Sequence, residues 1–220
     1  MSLILNLIWS EQMRSNSRKP NYNRVIPTKR VLILCEGQSE QIYINGYKSE
    51  EVNKRRLAKV DVEIYQPKDY FPHGLLTEAT KKAKDAKKDK MPYESVWIVF
   101  DRDGHANVPQ TFEEAPIAKI NIAFSSICFE TWILLHFEQT SRYFENCDAI
   151  LSYIKRNDYL AYEKTNYYKL LTEDKKKTAV ANAEWLYKQN KNDIDRGMFL
   201  YELNPFTNFD LLIKYLHEIV

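Results

Sequence analysis

Two stretches decide the fold: residues 30–37, RVLILCEG, and residues 95–105, SVWIVFDRDGH. In each, six residues with almost no polar interruption are followed at once by acidic residues: Glu36 in the first, Asp101 and Asp103 in the second. A strand with one wet face alternates apolar and polar residues. A continuous apolar run of this length fits a strand covered on both faces, as in a parallel sheet between helices.

Working outward, residues 61–65 (DVEIY) alternate and read as a further strand nearer an edge, and residues 120–124 (INIAF) as a fourth. Ser39 fits a helix N-cap, with a helix running on towards Arg55. A turn containing Pro72 and Gly74 leads to a basic helix over 76–88. A short helix is expected over 111–118, and a buried one over 129–137 (FETWILLHF). Strands alternating with helices imply βαβ units with right-handed crossovers. Beyond Glu138 the pattern becomes helical throughout, near 147–155, 175–188 and 209–219, with no clear strand. The expected organisation is an N-terminal arm (1–29), an α/β core (30–138) and a helical extension packed on it (139–220).

The totals narrow the function classes. With 44% hydrophobic and 28% charged residues the chain is of globular composition, and a formal net charge of +2 excludes a general polycation. Any nucleic-acid contact therefore has to come from local patches. Cys35, Cys128 and Cys147 are far apart in sequence and offer neither a disulfide framework nor a CxxC metal clip, which fits a reducing cytoplasm. The apolar segment Leu3–Trp9 lacks a basic leader and falls well short of the roughly 20 residues that span a bilayer, so no membrane is expected. Nothing matches GxxxxGK[ST], so the chain has no P-loop of its own.

In an open α/β sheet, ligands collect beyond the carboxyl ends of the strands. If the strands ending at Glu36 and Asp101 are neighbours, Glu36, Asp101 and Asp103 converge. Their mutual repulsion calls for a counter-charge, and Mg²⁺ or Mn²⁺ answers it because hard cations prefer oxygen ligands. Asp101 and Asp103, two apart in an extended segment, point the same way, and Gly104 lets the chain turn. Such a site can neutralise a phosphodiester and orient a water, with Glu36 moving the proton.

The runs RVLILCEGQSE, VWIVFDRDGH, SSICFETWILLHF and NPFTNFDLLIKYL, in this order and at these separations, resemble the RloB group of Toprim-like proteins, related to the nucleases of the OLD family. The resemblance covers most of 30–216. It implies a Toprim-like (Rossmann-like) parallel sheet, a Mg²⁺-dependent endonuclease and a role in bacterial antiviral defence, including abortive infection. The implied partners are a nucleic-acid substrate and a companion ATPase of the AAA or ABC-like type; homodimerisation is left open. Carried over by position, Glu36 matches the Toprim glutamate, Asp101 and Asp103 its DxD pair, Glu40 the second acidic position of the first motif, and Glu130 a further acidic residue and metal ligand. Lys164 and His105 are phosphate-contact candidates. Arg102 and His105 around the acidic pair depart from the pattern of topoisomerases and primases, which leaves the substrate open.

Blander readings stand beside these. Glu36 can be a turn former, Asp101 and Asp103 a solvated acidic turn, and Glu40 and Glu130 first-turn residues stabilised by a helix dipole. His105 fits an ordinary loop histidine and His136 a core one. The lysines between Lys81 and Lys90 make either a solvated helix face or a track for a phosphate backbone. Two rival functions are a DxDG-type phosphatase, for which the motif sits on the wrong strand, and a non-catalytic metal- or nucleotide-binding module of an ATPase complex.

Overall fold

The computed structural model describes residues 28–68, 71–102, 104–157, 159 and 167–219. Leu3–Trp9, most of the basic arm, Asp103 and Lys164 lie outside them. Among the described residues, five strands form one sheet: β1 (Lys29–Cys35), β2 (Val60–Tyr65), β3 (Ser95–Asp101), β4 (Asn121–Ser126) and β5 (Phe206–Thr207). Their order is β2-β1-β3-β4-β5, with β1 to β4 parallel and β5 antiparallel to β4.

Successive side chains of a strand point to opposite faces. Val31, Ile33 and Cys35 of β1 and Trp97 and Val99 of β3 enter one core; Leu32 and Leu34 with Val96, Ile98 and Phe100 enter the other. Both faces are buried, which is why these strands read as unbroken apolar runs.

One face is covered by α3 (Pro72–Lys88), through Leu75, Leu76 and Ala79, and by α4 (Val108–Ile117), through Val108 and Ala115. On the other face lie α1 (Gln38–Ser49), α2 (Glu51–Arg56), α5 (Glu130–Leu134), α6 (Cys147–Arg156), α7 (Glu173–Asp195) and α8 (Phe209–Glu218). Ile150 and Ile154 of α6, Ala183 and Leu186 of α7, and Leu212 and Leu216 of α8 belong to the same core as β1 and β3. Among the described residues, no helix is long and apolar enough to cross a membrane.

The elements depart from expectation in four places. Gly37, not Ser39, is the N-cap of α1. The helix expected to run on to Arg55 breaks at Glu50, which has extended backbone angles between α1 and α2. Its carboxylate accepts from Tyr168 Oη at 2.6 Å, from Asn53 Nδ2 at 2.8 Å and from Lys176 Nζ, so residues more than a hundred positions away fix the bend. The helix expected over 129–137 is regular only over Glu130–Leu134.

The fourth departure is β5, a strand within the region expected to be helical throughout. Two residues are too few to show alternation, and side chains complete the pairing. Asn208 Oδ1 accepts from the Phe124 amide at 2.6 Å, and Asn208 Nδ2 donates to the Ile122 carbonyl at 3.1 Å. This amide stands in for the backbone partner that the edge of β4 would otherwise lack.

Candidate metal centre

β1 and β3 are neighbours in register, Cys35 opposite Val99, so their carboxyl ends lie side by side. The ladder continues one step beyond β1, where the Glu36 amide donates to the Val99 carbonyl at 2.9 Å. Glu36 Oε2 then accepts the Asp101 amide at 2.9 Å, and its Oε1 lies 2.8 Å from His105 Nε2. A carboxylate only accepts, so Nε2 carries the proton and donates. Gln66 Nε2 donates to the Glu36 carbonyl at 2.7 Å, which holds the backbone at this strand end.

Three further carboxyls, Glu40, Asp101 and Glu130, belong to the same electrostatic cluster as Glu36. Glu40, in the first turn of α1, is 3% exposed, and Glu130, which opens α5, is also 3% exposed. Asp101 ends β3, and its carboxyl accepts the backbone N–H of Phe129 from the turn before α5. Burial pushes the Asp101 carboxyl well above the usual carboxylate range, and Glu40, Glu36 and Glu130 push it further. Burial also lifts Glu40 from 4.5 to about 7; backbone N–H groups of Glu40 and Gly37 oppose the rise, while Glu36 and Glu130 add to it. Carboxyls move in this direction when apolar surroundings and like charges both disfavour the anion.

Glu40 Oε2 and Asp101 Oδ1 are buried and have no hydrogen-bond partner among the described residues. Buried polar atoms are nearly always satisfied, and two such acceptors at one site mark a place that a cation or water would occupy. Gly37 leaves room for them, because a Cβ there would come within 2.8 Å of Glu40 Oε2. The donors are all carboxylate oxygens, a set suited to Mg²⁺ or Mn²⁺. The structure thus sets Glu36, Glu40, Asp101 and Glu130 within electrostatic reach of one another and His105 on Glu36.

His136 is a core residue. A carbonyl only accepts, so Nδ1 donates to Trp132 O at 2.9 Å and Nε2 accepts from Tyr43 Oη at 3.0 Å. Burial holds this ring neutral, with its pKa down at about 3.

The lysine-rich end of α3 lies near the start of β1, at the opposite end of the strand from Glu36. The carbonyl of Met91, just past the helix, accepts from Arg30 Nη1 at 2.6 Å at the start of β1. Glu36 is six residues along that strand, about 20 Å at the usual rise. Lys82, midway, is engaged with Glu63 at 3.1 Å and lies over the Tyr65 ring.

The reading that the cysteines offer no disulfide is corrected by the structure. Cys128 and Cys147 are bridged, with Cα atoms 5.8 Å apart. A separation of 19 residues carries no signal for this pairing. It arises because the turn before α5 and the first residue of α6 meet above Glu130. Cys35 is a buried free thiol in β1. The ligand atoms of Cys128, Glu130 and Cys147 lie within 4.8 Å of one another, with both sulfurs bridged.

Comparison with curated proteins and with solved structures gives no match. Residues 31–216 match the family model described as RloB-like protein, from the first residues of β1 to the last turn of α8. That span takes in both acidic strand ends and most of the chain, and it bears out the RloB part of the resemblance drawn from the four sequence blocks: the chain belongs to the RloB-like protein family.

Proposed function

We propose that this protein is a divalent-metal-dependent endonuclease of the Toprim type, which cleaves phosphodiester bonds of DNA or RNA at Glu36, Glu40, Asp101 and Asp103, with Glu130 as a further ligand. The observation that carries the reading is the pair of buried oxygens without a partner among the described residues, Glu40 Oε2 and Asp101 Oδ1, inside a cluster of carboxyls near adjacent parallel strand ends. Burying like charges is costly unless a counter-ion accompanies them. Glu36, Asp101 and Glu130 would hold Mg²⁺ or Mn²⁺. Such an ion, when bound, neutralises phosphate charge and lowers the pKa of a water at the scissile bond.

The remaining roles fall to the chain's own residues. His105 and the Asp101 amide fix the rotamer of Glu36 from two sides. Glu40, held near neutrality by burial, exchanges a proton at working pH and suits general acid–base work. Recognition of phosphate rather than base makes DNA, messenger RNA and transfer RNA equally compatible substrates. A companion ATPase of the AAA or ABC-like type would gate the site, in keeping with a defence effector that has to stay silent until a phage triggers it.

The test is cleavage of DNA and RNA by purified protein with Mn²⁺, alone and with its companion ATPase. Asp101→Asn and Asp103→Asn each abolish cleavage and leave the circular dichroism spectrum unchanged, because they remove charge and little volume. Equal metal-dependent cleavage by both variants contradicts the proposal. Mn²⁺ binding with no cleavage under any condition supports instead the non-catalytic regulatory module, which would use the same carboxylates.

A further inference from the structure

Cys128 lies in the turn between β4 and α5 and is 3% exposed, whereas Cys147, the first residue of α6, is partly exposed. Glu130 Oε2 lies 3.3 Å from Cys147 Sγ. The ligand atoms of Cys128, Glu130 and Cys147 all fall within 4.8 Å of one another. A bridged sulfur has no proton to offer, so the disulfide form sets a carboxylate oxygen against a sulfur lone pair with no hydrogen between them. Reduced, the same three residues supply two thiolates and a carboxylate, which with a water make a tetrahedral zinc site.

The geometry is close to that site. With Zn–S of about 2.3 Å and Zn–O of about 2.0–2.2 Å, tetrahedral placement sets the sulfurs about 3.8 Å apart and each about 3.5 Å from the oxygen. Cys147 Sγ already approaches Glu130 Oε2 to 3.3 Å, and Cys128 Sγ falls within 4.8 Å of the same group. The sulfurs have to separate on reduction, and a χ1 rotation of Cys128 moves its Sγ without moving the backbone. The donor set also differs in kind from the neighbouring all-oxygen cluster, since thiolates select soft and borderline cations.

We propose that Cys128, Glu130 and Cys147 form a second metal site, which takes Zn²⁺ when the cysteines are reduced and closes to a disulfide when they are oxidised. Opening consumes two electrons and two protons from a dithiol reductant. A reductant thiolate attacks Cys147 Sγ, the S–S bond breaks, and Cys128 leaves as a thiolate that takes up a proton. The reductant's second thiol then displaces Cys147 from the mixed disulfide, which leaves the reductant oxidised and Cys147 protonated. Binding of Zn²⁺ sends both thiol protons to solvent. The site does not depend on the nuclease reading; Glu130 is the residue the two centres share.

The test is titration of the full chain with Co²⁺, a spectroscopic stand-in for Zn²⁺, in a phosphine reductant. Reduced wild type takes up about one equivalent with a thiolate-to-cobalt charge-transfer band and intense tetrahedral visible bands, and Zn²⁺ bleaches both. The bands are absent from the oxidised protein and from Cys147→Ser, persist in Cys35→Ala, and need about tenfold more Co²⁺ in Glu130→Gln. Folded, reduced wild type without the charge-transfer band overturns the proposal, as does a band that survives Cys147→Ser. Should that variant not fold, alkylation of the reduced wild type decides: Zn²⁺ slows modification of Cys128 and Cys147, and unchanged rates overturn the site.

Discussion

His105 Nε2 donates to Glu36 Oε1 across 2.8 Å, so the loop that follows β3 grips the carboxylate that follows β1. The two side chains are 27% and 13% exposed, which makes the contact a positioning device at the edge of the site and not part of the core. His105→Ala should therefore weaken Mn²⁺ binding about tenfold, the usual cost of losing an orienting partner, with a stability change under about 1 kcal/mol. Calorimetric titration with Mn²⁺ beside thermal melts checks both halves.

The carboxyl cluster sets the pH dependence of the metal-free protein. Burial raises Glu40 from 4.5 to about 7 in the folded state, and Asp101 moves in the same direction. A carboxyl raised on folding binds its proton more tightly when folded, so its contribution to stability is full below about pH 4.5, falls as pH rises and is lost through about pH 7. Melts of metal-free protein should show Tm dropping from pH 5 to pH 8, Mn²⁺ reversing the drop, and Glu40→Gln flattening it. A metal-free Tm that rises over this range contradicts the assignment.

Gly37 is required by Glu40 and not by its own backbone, whose angles of −122° and 175° any residue adopts. In Gly37→Ala the new methyl would stand 2.8 Å from Glu40 Oε2, so the carboxylate must move. The expected result is a loss of about 1–3 kcal/mol of stability and weaker Mn²⁺ binding. Combining Gly37→Ala with Glu40→Ala should recover most of the stability loss, and a double-mutant cycle without coupling would count against the contact.

Tyr43 and His136 supply a control in the core. Tyr43→Phe leaves His136 Nε2 buried without its donor and should cost about 1–3 kcal/mol in denaturant unfolding, with Mn²⁺ affinity unchanged. A metal defect in this variant would mean that His136 communicates with the carboxylates.

What was legible in the sequence follows from where each signal originates. β1 and β3 announced themselves because every residue from Val31 to Cys35 and from Val96 to Phe100 is buried, and the pairing of their ends put Glu36 beside Asp101. Glu40 and Glu130 looked alike to a capping argument, since each sits in a first helical turn. What separates them from dipole caps is burial to 3% exposure, and burial depends on elements far away in the chain. The break at Glu50, the two-residue β5 and the Cys128–Cys147 bridge escaped for a related reason: partners distant in sequence cause each of them.

The most direct test of the account is a crystal of the protein soaked in Mn²⁺ and measured at the manganese absorption edge. The account predicts an anomalous peak at the carboxyl ends of β1 and β3, about 2–2.5 Å from oxygens of Asp101 and at least one of Glu36, Glu40 and Glu130, the range of hard-cation coordination. An empty cluster at saturating Mn²⁺, with Glu36 still held by His105 and Asp101 Oδ1 still without a partner, would contradict it.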